Sequence, residues 1–220
     1  MTHTENIIKD LKKNQLMVAV RTETAEDAYN AAVACVEGGI KFVEITFSVP
    51  EAHEVIKRLS RDKRAVVGAG TVLSVRDVKK ALKAGASYIV SPNFDNKVVK
   101  FTKKEGAMSV PGACTPTEIY QAYKAGGDVI KLFPFVEIGG LAFLKAVRGP
   151  LPFVNYMLCG GCNLENVSKY LAAEAAGILI GTAILKRELV AAKDWNAIAG
   201  LAGTFVGKAE DFARTKLTSS

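Results

Sequence analysis

Short apolar runs rich in β-branched residues recur along the 220-residue chain: LMVAV (16–20), FVEIT (42–46), AVVGAG (65–70), YIVSP (88–92), MSVPG (108–112), DVIKLF (128–133), VNYML (154–158) and GILIG (177–181). These eight strand candidates start roughly 20 to 26 residues apart, with helically spaced segments between them. That rhythm predicts strand–helix units with parallel pairing. Helix starts are legible where a hydroxyl precedes a carboxylate by three residues: Thr24 with Asp27, Ser74 with Asp77, and Thr115 with Glu118. The last pair is a full capping-box pattern with Pro116 at the first helical position. Glycines in EGG (37–39), KAGA (83–86) and KAGG (124–127) supply the left-handed residue that ends a helix. No Pro/Ser-rich linker divides the chain. Eight units in an uninterrupted run predict an α/β fold, a (β/α)8 TIM barrel forming one domain over 1–220 with a short N-terminal helix. An open doubly wound sheet is the competing architecture, and it usually has fewer strands.

A hydrophobic fraction of 49% supports a sizeable core. The net charge of +7 arises from 29 Lys+Arg against 22 Asp+Glu. Much of the excess lies in KRLSRDKR (57–64) and DVKKALK (77–83), which read as solvated helix faces. Without interleaved aromatics these runs argue against nucleic acid, although surplus positive charge helps draw in an anionic metabolite. The longest apolar stretch, AAGILIGTAIL (175–185), is too short to span a bilayer, and the N-terminus lacks the order of a secretory signal. Four cysteines in a chain of this length do not make a disulfide framework. A cytoplasmic protein without membrane or nucleic-acid partners is expected.

In such a barrel, chemistry belongs at the C-terminal ends of the strands. The polar groups there are Glu44 and Thr46 on the second strand, Thr71 after the third, Lys131 on the sixth and Thr182 after the eighth. On a period of two, Lys131 shares a face with Val129 and Phe133, and Glu44 with Phe42 and Thr46. If those faces line the interior, a lysine and a carboxylate converge inside the barrel. Residue types alone leave a structural ion pair and a catalytic pair level. The catalytic version has definite chemistry. Burial disfavours an ammonium, and a desolvated amine attacks a ketone to give an iminium, which draws electrons from a neighbouring carbon–carbon bond. The proton transfers along that route need a shuttle, a role that a carboxylate such as Glu44 can fill directly or through water.

Two glycine loops, LCGGCN (158–163) and IGTAIL (180–185), follow the seventh and eighth strands, where barrels often bind phosphate through backbone N–H groups and a helix N-terminus. Gly160, Gly161 and Gly181 permit close approach, and Thr182 adds a hydroxyl. Tight turns alone would also explain the glycines. The Cys159–Cys162 spacing matches Cys-x-x-Cys, but Cys35 and Cys114 are isolated and no histidine is nearby, so it is read as incidental rather than zinc or redox. GAGTVL (68–73) fails as a dinucleotide fingerprint because Leu73 replaces the third glycine. His3 reads as terminal and His53 as an exposed helix position, which leaves no histidine triad or metal site.

The segments VEITFSVPEA, GAGTVLS, IVSPNFD, VPGACTPTE, VIKLFP and GGCNLENV stand in an order that resembles the class I aldolases for 2-keto-3-deoxy-6-phosphogluconate and 4-hydroxy-2-oxoglutarate. The resemblance runs from about Met17 to Thr182. It implies that Lys131 forms a Schiff base and that Glu44 is the general acid/base. It places Arg21, Thr71, Pro92 and Phe133 in the substrate pocket and Gly160, Gly161, Gly181 and Thr182 in the phosphate loops. The implied reaction cleaves the phosphorylated keto acid reversibly to pyruvate and glyceraldehyde 3-phosphate, without cofactor or metal, in a homotrimer. The alternatives are an aldolase for the galactonate-series acid, another phosphosugar enzyme on the same barrel, and a catalytically silent phosphate-binding barrel. Three positions depart from the resemblance. Ser48 stands where many members have arginine, which shifts carboxylate recognition toward Arg21 or backbone donors. Cys159 replaces a threonine and Leu158 a proline, and both leave backbone N–H donors in place.

Overall fold

Each apolar run becomes a strand and each helically spaced segment a helix in the computed structural model, which describes residues 2–218. In chain order the elements are α1 (His3–Asn14), β1 (Leu16–Val20), α2 (Ala25–Glu37), β2 (Phe42–Thr46), α3 (Ala52–Leu59), β3 (Val66–Gly70), α4 (Val75–Lys83), β4 (Tyr88–Val90) and α5 (Asn96–Lys104). There follow β5 (Met108–Val110), β6 (Gly112–Ala113), α6 (Pro116–Lys124), β7 (Ile130–Leu132), α7 (Gly140–Arg148), β8 (Tyr156–Cys159), α8 (Val167–Ala172), β9 (Gly177–Ile180), α9 (Arg187–Ala191) and α10 (Trp195–Thr218).

All pairings are parallel, in the order β5-β4-β3-β2-β1-β9-β8-β7-β6. The fifth predicted run, 108–112, is interrupted rather than continuous. Pro111 has no N–H to give the ladder and separates β5 from β6. Its carbonyl still accepts from the Lys131 N–H at 2.9 Å. Since β5 pairs with β4 and β6 with β7, this one stretch joins the two ends of the sheet. The result is a closed (β/α)8 barrel, not an open doubly wound sheet. The sixth run is also shorter than its apolar pattern. Asp128 leaves the strand to pair with Lys103 at 2.6 Å and to accept the Ser109 N–H at 2.8 Å.

The caps follow the hydroxyl–carboxylate spacing. Thr115 and Glu118 form a reciprocal box, whereas Thr24 and Ser74 accept from the Asp27 and Asp77 N–H groups and donate their own hydroxyls to those carboxylates at 2.7 Å. Gly39, Gly85 and Gly126 end their helices at φ of +92°, +98° and +100°.

Alternation along the strands creates two cores. One lies between barrel and helices and includes Val18, Ile45, Ile89, Ile130, Leu158 and Ile178. The other fills the barrel with Met17, Phe42, Tyr88, Met108, Val129, Met157 and Leu179. Helix α1, held by a reciprocal cap between Thr2 and Glu5, lays Ile7 and Leu11 across the N-terminal end of this inner core. Among the described residues no helix is long and apolar enough to cross a membrane.

Leu11 is fully buried and packs over Gly177. Leu11→Ala should therefore lower the unfolding free energy by about 2–5 kcal/mol in a urea titration, and the far end of the barrel should be left intact.

Candidate active site

The inward face of the strands carries the two ionisable groups that the sequence singles out. Glu44 is level with Ala19 on β1, and Lys131 is level with Met157 on β8, both of which pack with the inner core. Glu44 is 1% exposed and Lys131 6%. Strand β3 makes room for the carboxyl, since a Cβ on Gly70 would lie 1.7 Å from Oε1 of Glu44. Burial holds the Glu44 pKa above the ordinary carboxylate range, and the charges of Lys131 and Arg21 oppose that rise.

Around Lys131 the surroundings are soft and apolar. Its Nζ lies 4.9 Å from the centroid of the Phe133 ring, which stands partly exposed at the end of β7. The Cys159 thiol lies against it from β8, its pKa raised by burial and pulled back by the Lys131 charge. The two cysteines of the Cys-x-x-Cys pattern are free thiols, and burial pushes Cys162 up to about 12.

The rim of the barrel is polar. Arg21, just beyond β1, donates to the Thr71 hydroxyl at 3.5 Å. Thr71 adopts φ of +56°, a left-handed backbone that a β-branched residue seldom takes, which points to a position held by its surroundings. The Thr46 hydroxyl donates to the Val20 carbonyl at 3.0 Å and lies 2.9 Å from the Ser48 hydroxyl, so the end of β2 presents hydroxyls and no cation.

A cavity of about 320 Å³ opens between β1, β7, β8 and β9. Of the expected site residues, Arg21, Phe133, Gly160, Gly161, Gly181 and Thr182 line it. Gly160 and Gly161 are left-handed, and a Cβ on Gly161 would meet Val136 at 2.1 Å. Their carbonyls are tied back, Gly160 accepting from the Tyr170 hydroxyl at 3.0 Å and Gly161 from the Asn166 amide at 2.8 Å. Helix α8 begins only at Val167, so the chain reaches it through the Asn163–Asn166 turn rather than directly from the glycines. Lys131 and Glu44 sit deeper, and Cys159 connects the cavity wall to Lys131. Thr71 joins through Arg21, while Pro92, beyond β4, lies outside the cavity lining.

A larger groove of about 700 Å³ lies at the opposite end of the barrel, beside Lys12, Lys13, Arg148 and Tyr156. It contains no buried reactive pair. Neither histidine approaches the cavity: His3 begins α1, and His53, half-buried rather than exposed, lies on α3 beside Glu51 and Glu54. Among the described residues no three His, Cys, Asp or Glu side chains cluster to hold a metal ion. Two site groups escape sequence reasoning. Cys159 reads as half of an incidental pair until β8 is placed beside β7. Tyr88 reads as an ordinary core aromatic, although it is fully buried with its hydroxyl facing the interior near Glu44.

Comparison with known proteins gives a consistent result. The family model for KDPG and KHG aldolase matches residues 7–201. A 2-dehydro-3-deoxy-phosphogluconate aldolase from Treponema pallidum is 33% identical over 196 residues, covering 89% of this chain and 93% of that one. A KHG/KDPG aldolase from Escherichia coli K12 is 29% identical over 178 residues, covering 80% and 84%. Among solved structures, the KDPG aldolase of Legionella pneumophila, with pyruvate captured as a covalent carbinolamine intermediate, superposes with a TM-score of 0.82 at 26% identity, covering 90% of this chain and 97% of that one.

The position of Glu44 has a direct spectroscopic consequence. Its protonated-carboxyl infrared band, assigned by its loss in Glu44→Gln, should persist above the ordinary glutamate value of about 4.3. Because the Lys131 charge opposes the effect of burial, Lys131→Met should move that titration further upward.

Proposed function

The chain belongs to the KDPG and KHG aldolase family, and from that premise we propose that it cleaves 2-keto-3-deoxy-6-phosphogluconate to pyruvate and glyceraldehyde 3-phosphate. It acts also on 4-hydroxy-2-oxoglutarate, giving pyruvate and glyoxylate. The observation that carries this reading is the burial of one lysine and one carboxylate, Lys131 and Glu44, inside the barrel beside a cavity at the C-terminal ends of the strands.

The reaction needs an amine nucleophile and a mobile proton. Neutral Lys131 attacks the C2 ketone, and the carbinolamine loses water to leave an iminium. The iminium accepts the electron pair of the C3–C4 bond as the C4 hydroxyl loses its proton, which releases the aldehyde and leaves an enamine. Protonation of the enamine and addition of water return pyruvate and the free amine. Glu44 serves each proton transfer, because a buried carboxyl with a raised pKa gives up and recovers its proton at moderate pH. The iminium is the electron sink, so the step requires no metal or cofactor.

Recognition is divided along the rim. Arg21, steadied by Thr71, suits the substrate carboxylate, and Pro92 and Phe133 wall the pyruvyl end. Gly160, Gly161, Gly181 and Thr182 surround space suited to a phosphate, with backbone donors and one hydroxyl. With arginine absent at Ser48, Arg21 takes the larger share of carboxylate binding. The same reading has residues 1–220 acting as one catalytic domain in a cytoplasmic homotrimer on a small keto acid substrate.

Incubation with pyruvate and borohydride, followed by digestion, should place the reduced pyruvyl mass on the peptide containing Lys131. Lys131→Met should abolish cleavage with the circular dichroism unchanged, and Glu44→Gln should lower kcat by about 10²–10⁴. Adducts scattered over surface lysines, with no cleavage by the wild type, would leave a silent barrel as the answer, whereas full turnover by folded Lys131→Met would leave a barrel enzyme that forms no Schiff base on Lys131. Thr182→Ala should raise KM by about tenfold for the phosphorylated substrate and leave 4-hydroxy-2-oxoglutarate unaffected.

A further inference from the structure

The barrel interior holds one more polar side chain than the proposed chemistry uses. Tyr88, the first residue of β4, is fully buried, its ring centroid 6.2 Å from that of Phe42. Strand register sets Glu44, Gly68 and Tyr88 at one level on three adjacent strands. A Cβ on Gly68 would stand 2.1 to 2.4 Å from the Cε2, Cδ2 and Cζ atoms of the Tyr88 ring. The corresponding Cβ on Gly70 would collide with the Glu44 carboxyl. The two inward glycines of β3 thus clear one trough. The carboxyl leans into it from β2, and the phenol leans into it from β4.

Only two buried side-chain oxygens among the described residues have no hydrogen-bond partner, and they are Glu44 Oε2 and the Tyr88 hydroxyl. Buried polar atoms are rarely left unpaired, and two such atoms bordering one trough satisfy each other most economically through a shared bridge. We propose that Tyr88 is a positioning residue whose hydroxyl, through one bridging water, donates to Oε2 of Glu44 and holds the carboxyl that moves protons for Lys131. The inference rests on the proposed function for its catalytic consequence, but not for the coupling itself.

The direction of donation follows from the surroundings. Burial, and the charge on Glu44, push the phenol well above its usual range, so Tyr88 keeps its proton and is the donor. A donor to a carboxylate favours the ionised form. Tyr88 therefore works with Lys131 from β7 and Arg21 from the end of β1 against the effect of burial, and the fourth group facing Glu44 is the thiol of Cys159 on β8.

The test is Tyr88→Phe in the full chain, which removes one oxygen and keeps the ring. The Glu44 infrared titration should move up by about one pH unit, a tenfold change in proton equilibrium. The acid limb of kcat should move with it and kcat should fall severalfold, with KM and borohydride trapping on Lys131 unchanged. A purely structural tyrosine would lower the melting temperature and move neither titration. Should the variant misfold, wild-type protein labelled with 13C-tyrosine gives the second measurement. The Tyr88 Cζ resonance should step at the Glu44 midpoint, and that step should vanish in Glu44→Gln. An unchanged Glu44 titration in folded Tyr88→Phe, or a Cζ resonance blind to Glu44, overturns the proposal. Wild-type protein without aldolase activity would instead overturn the proposed function and leave the infrared and resonance readouts to decide the coupling.

Discussion

The structure depends on holding an ionisable pair, Lys131 and Glu44, inside a closed parallel barrel. Desolvating an ammonium and a carboxylate is expensive, and their attraction repays it only when the geometry is fixed and nearby groups help. The barrel meets that condition by dividing its interior along the axis. Toward the N-terminal ends, Met17 and Phe42 fill the lumen, and Ile7 and Leu11 of α1 cover it. Toward the C-terminal ends, Glu44 and Lys131 project into the lumen, and Gly70 on β3 gives the carboxyl room. The apolar half stabilises a ring whose polar half would otherwise favour hydration and opening.

That axial division also separates chemistry from recognition. The pair proposed to react lies on strands, where rotamers are limited by close neighbours, whereas the groups proposed to bind anionic parts of a substrate stand on the loops beyond them. Arg21 spans both levels, since it touches Thr71 at the rim and its charge reaches Glu44 below. The bonding of Thr46 to Val20 and its closeness to Ser48 show why Ser48 is no simple loss. The hydroxyl pair fastens the end of β2 to β1, which keeps the strand carrying Glu44 in register with the strand that leads to Arg21.

Much of this is written in one-dimensional pattern. Eight apolar runs at regular spacing require eight strand–helix units, and a period of two puts Lys131 and Glu44 on faces shared with large apolar residues. What the pattern does not carry is what lies across from a residue rather than along the chain. MSVPG reads as one strand, and only closure shows that Pro111 divides it between two neighbours. Cys159 reads as part of a spacing motif, because nothing in its own segment indicates that β7 will set Lys131 beside it. AVVGAG reads correctly as a strand, but nothing within it shows that Gly68 and Gly70 act by the space they leave for side chains of β2 and β4.

The same cross-strand view supports the repeated proton transfer proposed for Glu44. With burial alone, the carboxyl would keep its proton and act only as an acid. With strong pairing alone, it would stay ionised and act only as a weak base. Here burial raises the pKa, while Lys131 and Arg21 lower it, so the opposing effects come from different elements of the barrel. In the proposed reaction, a substrate that converts the lysine into an iminium keeps a positive charge at that point, whereas the enamine removes it. Loss of the charge that favours ionised Glu44 raises its proton affinity when the enamine forms, and the carboxyl then holds the proton that the enamine carbon must receive. On that proposal, the balance around one buried carboxyl ties the direction of proton flow to the state of the lysine nitrogen whose charge reaches it.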